Sequence, residues 1–174
     1  MARPVMPVLL LILLFGGVGC NREAKDRALV ARWLARNCGR TGERELEEEI
    51  RRRGPAIERL FLEAFRNGPP ESLEDDLLTA VEEHWCRLQI QINEPEAHAL
   101  SAEDVAGMRA VSLAGGKAEA LRRLRLNYRS AALAALGIIG REPGRDLLRR
   151  VAGDTESPYR HVAALAYQKA QKTR

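Results

Sequence analysis

Apolar residues recur along most of this chain at the three- and four-residue spacing of amphipathic helices, and glycine and proline punctuate the stretches between them. In the first such segment, Glu23–Asn37, the apolar stripe is formed by Val30, Trp33, Leu34 and the following Cys38. No run of alternating β-branched residues is present in the sequence. The pattern therefore predicts an all-α chain.

Glycine and proline divide the middle of the chain into several predicted helices. We expect Gly54 to end a charged helix over residues 43–53 and Pro55 to open the next one at its first turn, where the missing N–H is not needed. Asn67–Pro70 ends that helix. Further helices are predicted from Glu71 to Ile92, from the N-cap Ser101 to Ala110 and, after a break at Gly115-Gly116, from Lys117 to Asn127.

The carboxyl end of the chain repeats a helix–turn–helix pattern at an interval of 31 residues. A Tyr-Arg pair opens an Ala- and Leu-rich helix at Tyr128–Gly137, a second helix follows over Arg145–Ala152, and Tyr159–Tyr167 restarts the pattern. The turns at Arg141–Gly144 and Gly153–Pro158 both contain proline. Self-similarity of this kind is typical of helical solenoids.

This region resembles the short HEAT-like repeat, which is related to the repeats of phycobilin lyases. The resemblance implies Ala-rich helices that pack closely, and it implies no lyase activity, because a shared fold carries no site with it. A solenoid normally needs three or more repeats, so an irregular bundle is the alternative. The expected fold is all-α, as a helical-hairpin solenoid or an irregular helical bundle. Residues 113–174 form its repeat region, and residues 20–112 form a helical region continuous with it.

The first 19 residues have the pattern of an export signal. An apolar run over Val5–Val18 follows the single positive charge of Arg3. Fourteen helical residues span roughly 21 Å. Because the hydrocarbon core of a bilayer is ~30 Å thick, this length favours a signal peptide over a transmembrane helix.

The four residues Gly17–Cys20 resemble the lipobox of bacterial lipoproteins. The resemblance implies cleavage after Gly19 and a diacylglycerol group on the Cys20 thiol, an anchor to which each buried methylene contributes ~0.8 kcal/mol. Position 21 is Asn rather than Asp, which favours the periplasmic face of the outer membrane. The alternative is an ordinary secretory signal cut near Gly19, with Cys20 incidental.

The charge balance adds little to this picture. The chain carries 28 Lys and Arg against 24 Asp and Glu, a net charge of +4. Most charges interleave along predicted helices, as over Glu43–Arg53, which is typical of a solvated face with i,i+4 pairs. Because an exported protein does not meet nucleic acid, we expect no nucleic-acid partner.

Two cysteines, Cys38 and Cys86, remain beyond the lipobox. In an oxidising compartment such a pair often forms a disulfide, and loop-closure entropy would then contribute about 4 kcal/mol to stability. Two separate buried thiols are the alternative. The histidines His84, His98 and His161 are scattered and no second Cys has zinc-ligand spacing, so no metal or other cofactor is predicted.

No catalytic arrangement stands in the sequence, whether a serine elbow, a His-Glu-x-x-His helix, a phosphate loop or paired carboxylates. We therefore predict no enzymatic activity. The expected function is a lipid-anchored helical module that binds or scaffolds another protein of the bacterial envelope. A structural envelope protein without a dedicated partner and a lipoprotein that binds a small ligand in a helical cavity are the alternatives.

A basic run formed by Arg122, Arg123, Arg125 and Arg129 is the candidate interaction surface. If these side chains cluster on one face, that face suits an acidic partner or anionic lipid headgroups. A solvated helix face is the alternative.

Overall fold

The computed structural model describes residues 22–35 and 43–172, in which helices are joined by turns and loops and no strand occurs. The helices are α1 (22–34), α2 (Glu43–Asn67), α3 (Glu71–Asn93), α4 (Ala102–Ala110), α5 (Leu113–Ile139), α6 (Gly144–Gly153) and α7 (Arg160–Lys172). The prediction of an all-α chain is confirmed. None of the helices within these ranges has the length and apolar character needed to cross a membrane.

Helix α2 runs through Gly54 and Pro55, so the prediction of two helices that meet there is wrong. Proline removes one backbone hydrogen bond and normally disfavours a helix interior. Here Ile50, Ile57 and Phe61 lie on one stripe and are each 0 % exposed. Burial of that stripe requires a single helical register, and the packing free energy outweighs the local cost of the proline.

Helix α5 is likewise longer than the sequence predicts. The expected break at Gly115-Gly116 and the expected new helix at Tyr128 are both wrong, because one helix extends from Leu113 to Ile139. The two glycines fall in its first turn, where Ser112 Oγ accepts a hydrogen bond from the Gly115 N–H at 3.1 Å. A capped first turn tolerates residues that would weaken a helix interior.

Other predicted boundaries are confirmed. Helix α2 ends at Asn67, and Gly68 follows it with a positive φ of 79°, a conformation that glycine adopts without strain. Ser101 caps α4, as its position before Ala102 predicts. Helices α6 and α7 occupy the two segments predicted after the turns at 141–144 and 153–158, and they pack against each other.

Contacts divide the chain into two units. Unit 1 contains the described residues up to Glu63 together with those from Ala131 onward, and unit 2 spans Ala64–Ser130.

Unit 1 holds a fully buried apolar core. Its largest buried side chains are Leu29, Trp33, Ile50, Ile57, Phe61, Leu133, Leu136, Ile138 and Leu148. Trp33 fills this core and donates its indole N–H to the Ala131 carbonyl oxygen at 2.7 Å, so its one polar atom is satisfied. Unit 2 differs, since Ala64 and Ile92 are the buried apolar side chains among its described residues.

Backbones approach closely inside unit 1. A Cβ added to Gly137 on α5 would lie 2.7 Å from the carbonyl oxygen and 2.8 Å from the Cα of Ala166 on α7. Helix α6 begins beside α2 in the same unit, and the buried Glu58 carboxylate accepts a hydrogen bond from the Gly144 N–H at 2.9 Å. An anion at a helix N-terminus satisfies donors that the helix leaves unpaired.

We expect Gly137→Ala to lower the free energy of unfolding by about 1–3 kcal/mol, because the added methyl group overpacks a contact with backbone atoms that cannot move aside. Gly107→Ala in α4 is the matched control, since a Cβ there meets no atom within 4 Å. That control should leave stability unchanged or raise it by up to ~1 kcal/mol. Urea unfolding followed by circular dichroism measures both, and equal stability of the two variants would contradict the close approach.

Candidate functional site

An apolar groove lies in unit 2 between α3, α4 and the start of α5. Its volume is about 620 Å³, and it is open to solvent rather than enclosed. The principal apolar side chains that line it are Val81, Trp85, Leu88, Met108, Val111 and Leu113. We refer to this feature as the unit 2 groove.

Helix α3 forms one wall because three of its apolar residues share a face. Val81, Trp85 and Leu88 stand at i, i+4 and i+7, and each is half-buried rather than buried. At 1.5 Å per residue the wall is roughly 10 Å long, about two helical turns. Trp85 is the largest apolar surface in the groove, and tryptophan is the residue type most often found at the energetic centre of an interface.

Helix α4 forms the other wall and is oriented by a capping box. Ser101 Oγ accepts a hydrogen bond from the Asp104 N–H at 3.1 Å, and Asp104 Oδ2 accepts one from the Ser101 N–H at 3.0 Å. Hydrogen bonds from the Ser101 side chain and backbone hold the pKa of Asp104 below its ordinary value. Asp104 and the neighbouring Glu103 line the groove, so its α4 end carries negative charge.

Two residues of α4 make this wall adaptable. Gly107 lines the groove without a side chain, and nothing lies within 4 Å of where its Cβ would stand. Met108, next to it, has the long unbranched side chain that adjusts to irregular apolar surfaces. Val111, just beyond the helix, is 50 % exposed. The α4 wall is therefore apolar at these positions and accessible to solvent, and no residue of α4 is buried.

The sequence around the groove is strongly acidic, although the whole chain is basic. The stretch Glu71–Asp104, which contains α3 and the start of α4, carries ten Asp and Glu residues and one basic residue, Arg87. Lys117 at the start of α5 forms an ion pair with Glu82. Glu74 is likewise paired with Arg125, and the remaining carboxylates leave this stretch with an excess of negative charge.

The predicted basic run is engaged with partners inside unit 2. Arg122 and Arg123 both donate to the Glu119 carboxylate, at 2.7 Å and 2.5 Å, and these hydrogen bonds lower the pKa of Glu119 to about 2. Arg125 binds the Glu74 carboxylate through two hydrogen bonds of 2.7 and 2.6 Å.

The fourth residue of the run acts on the backbone. Arg129 Nε donates to the Phe65 carbonyl oxygen at 3.0 Å, near the end of α2, where helical carbonyls lack intrahelical partners. The guanidinium groups of the run are thus shared with neighbouring acceptors, and as an interaction surface for an outside partner the run stays a prediction.

The structure describes one of the three cysteines singled out in the sequence. Cys20 and Cys38 lie outside the described residues, so lipidation and the disulfide stay predictions, and Cys86 is exposed on α3. His84 lines the unit 2 groove, whereas His98 and His161 are exposed elsewhere. No group of three His, Cys, Asp or Glu side chains suited to a metal occurs in the described ranges.

Sequence reasoning missed the α4 side of the groove. The short apolar pattern of Val105, Met108 and Val111 does not by itself indicate a groove, and Gly107 has no side chain to signal a surface. The available signal was the run of carboxylates from Glu71 to Asp104, which the whole-chain balance of 28 basic against 24 acidic residues conceals.

Comparisons of the chain with known protein families, with curated proteins and with solved structures find no match. The chemistry of the site thus follows from its own residues.

Proposed function

We propose that this protein is a lipid-anchored, non-catalytic helical module of the bacterial envelope that binds a segment of another envelope protein in the unit 2 groove. The observation that carries the proposal is the groove itself, an accessible apolar groove of about 620 Å³ that Trp85 helps to line. The lipobox pattern at Gly17–Cys20 supports the location.

The packing of unit 2 supports a macromolecular partner. Most apolar side chains of α3 and α4 are half-exposed, and Ile92 is the one large apolar side chain buried among the described residues of this unit. A surface of this kind costs free energy in water, at roughly 25 cal/mol per Å² of apolar area. Coverage by a partner recovers that free energy, whereas a free monomer does not.

The shape of the groove favours a polypeptide over a small ligand. Small-molecule sites enclose most of the ligand and present a few polar groups that converge on it. The unit 2 groove is open, and Asp104 at its edge is already bonded to Ser101. Walls of about two helical turns on α3 and on α4 match the apolar face of a helix laid between them.

The anchor is tested by metabolic labelling of the producing bacterium with an alkyne fatty acid. We expect the wild-type chain to incorporate the label and Cys20→Ala to lose it completely, because the thiol that accepts the diacylglycerol is gone. Cys86→Ala is the control and should be labelled as strongly as wild type. Persistent labelling of Cys20→Ala would refute the anchor.

The interaction is tested by photo-crosslinking in intact cells. A photoreactive phenylalanine analogue at Met108, inside the groove, should give one discrete crosslinked product. The same analogue at Arg150, an exposed position on α6 in unit 1, is the matched control and should not give that product. An identical pattern from both positions, or no product from Met108, would count against a partner in the groove.

A further inference from the structure

We infer that the segment bound in the unit 2 groove is a basic amphipathic helix, with its apolar face on Trp85 and its Lys and Arg side chains toward the carboxylates of Glu103 and Asp104 on α4. This inference rests on the proposed function and adds the chemistry of the partner. Two independent properties of the groove point to it, namely its apolar periodicity and its charge.

The spacing of the apolar side chains in the groove indicates the spacing of the apolar residues in the partner helix. Val81, Trp85 and Leu88 offer a stripe roughly 10 Å long, and the α4 wall adds Met108 and Val111 across from it. A helix that lies between these walls presents apolar residues at i, i+3, i+4 and i+7 over two turns. The absence of a side chain at Gly107 leaves room for one large apolar residue of that stripe.

The negative charge at the groove indicates that the polar face of the partner helix is basic. Glu103 and Asp104 line the groove, and ten carboxylates against one arginine occupy the stretch Glu71–Asp104. Hydrogen bonds from Ser101 lower the pKa of Asp104, so this groove carboxylate stays ionised at neutral pH. Oppositely charged residues flanking the apolar stripe of the partner speed association and exclude acidic competitors.

Helix α6 of a second copy of this chain does not fit the groove. Helix α6 is amphipathic and basic, with Arg145, Arg149 and Arg150, but it buries Leu147 and Leu148 in its own unit. Its apolar face is therefore not available for a groove in another molecule.

The probe is a fluorescein-labelled peptide of about five helical turns, built from leucine at i, i+3, i+4 and i+7 and lysine elsewhere. Its twin has glutamate in place of every lysine. Each is titrated with the full chain in nanodiscs of zwitterionic lipid, and the signal from empty nanodiscs is subtracted. Fluorescence anisotropy should show saturable binding of the lysine peptide and about tenfold weaker binding of the glutamate twin.

Gly107→Phe tests the location. The new ring projects from a position with open space around its Cβ, fills the groove and should weaken binding of the lysine peptide about tenfold, on the scale of a lost central contact. Gly153→Phe is the matched control, because Gly153 is also a helical glycine with open space but lies in unit 1. It should bind as wild type does.

Glu103→Lys tests the charge without filling the groove. This exposed side chain makes no contact on which the capping box of α4 depends, so the variant should fold as wild type does. We expect it to bind the lysine peptide several-fold more weakly and the glutamate twin more tightly. Circular dichroism of each variant establishes that the helices are intact.

Equal affinity of the two peptides would overturn the inference about charge, and unchanged affinity in Gly107→Phe would overturn the inference about the groove. Binding that requires a second copy of the chain would overturn it as well. A crosslinked partner at Met108 together with no binding of the lysine peptide would leave the proposed function standing while this inference fails. If neither a crosslinked partner at Met108 nor binding of the lysine peptide is observed, the proposed function fails as well.

Discussion

The contact between Gly137 on α5 and the backbone of Ala166 on α7 is the constraint on which unit 1 depends. Because no side chain separates the two helices there, their spacing is set by backbone atoms. The last two turns of α5 are consequently buried, and Leu133 and Leu136 reach a core shared with α1 and α2. Trp33 completes that core and gives its indole N–H to α5 at Ala131. Small residues at helix contacts and large ones between them produce the dense packing typical of protein interiors.

Unit 2 differs from unit 1 in how its charged and apolar side chains are arranged. Its helices carry charges that are paired locally, as Glu74 with Arg125, and its apolar stripe on α3 is half-exposed around Trp85. A unit with few buried apolar side chains derives little stability from its own core. The same feature leaves an accessible apolar surface. The buried core of the described residues thus lies mainly in unit 1, whereas the surface that we propose for binding lies in unit 2.

Helix caps and helix ends that depend only on neighbouring residues could be predicted from the sequence. The cap at Ser101 and the end of α2 at Asn67 were predictable, because capping and positive-φ glycine depend on neighbouring residues only. The continuity of α2 through Pro55 was not, since burial of its apolar stripe against other helices overrides the proline. The groove could be predicted on its α3 side from the spacing of Val81, Trp85 and Leu88. Its α4 side could not, because a short apolar pattern becomes a wall only through its placement beside α3.

The proposed binding of a partner in the unit 2 groove has a direct spectroscopic test. The chain contains two tryptophans, Trp33 buried in unit 1 and Trp85 in the groove, and 5-fluorotryptophan labelling gives each a ¹⁹F resonance. Spectra of the full-length protein are compared when purified and in solubilised native membranes, with Trp85→Phe for assignment. We expect the Trp85 resonance to shift in membranes while that of Trp33 stays in place, because a partner in the groove changes the surroundings of Trp85 alone. An unshifted Trp85 resonance, or a shift of Trp33 alone, would contradict the proposal.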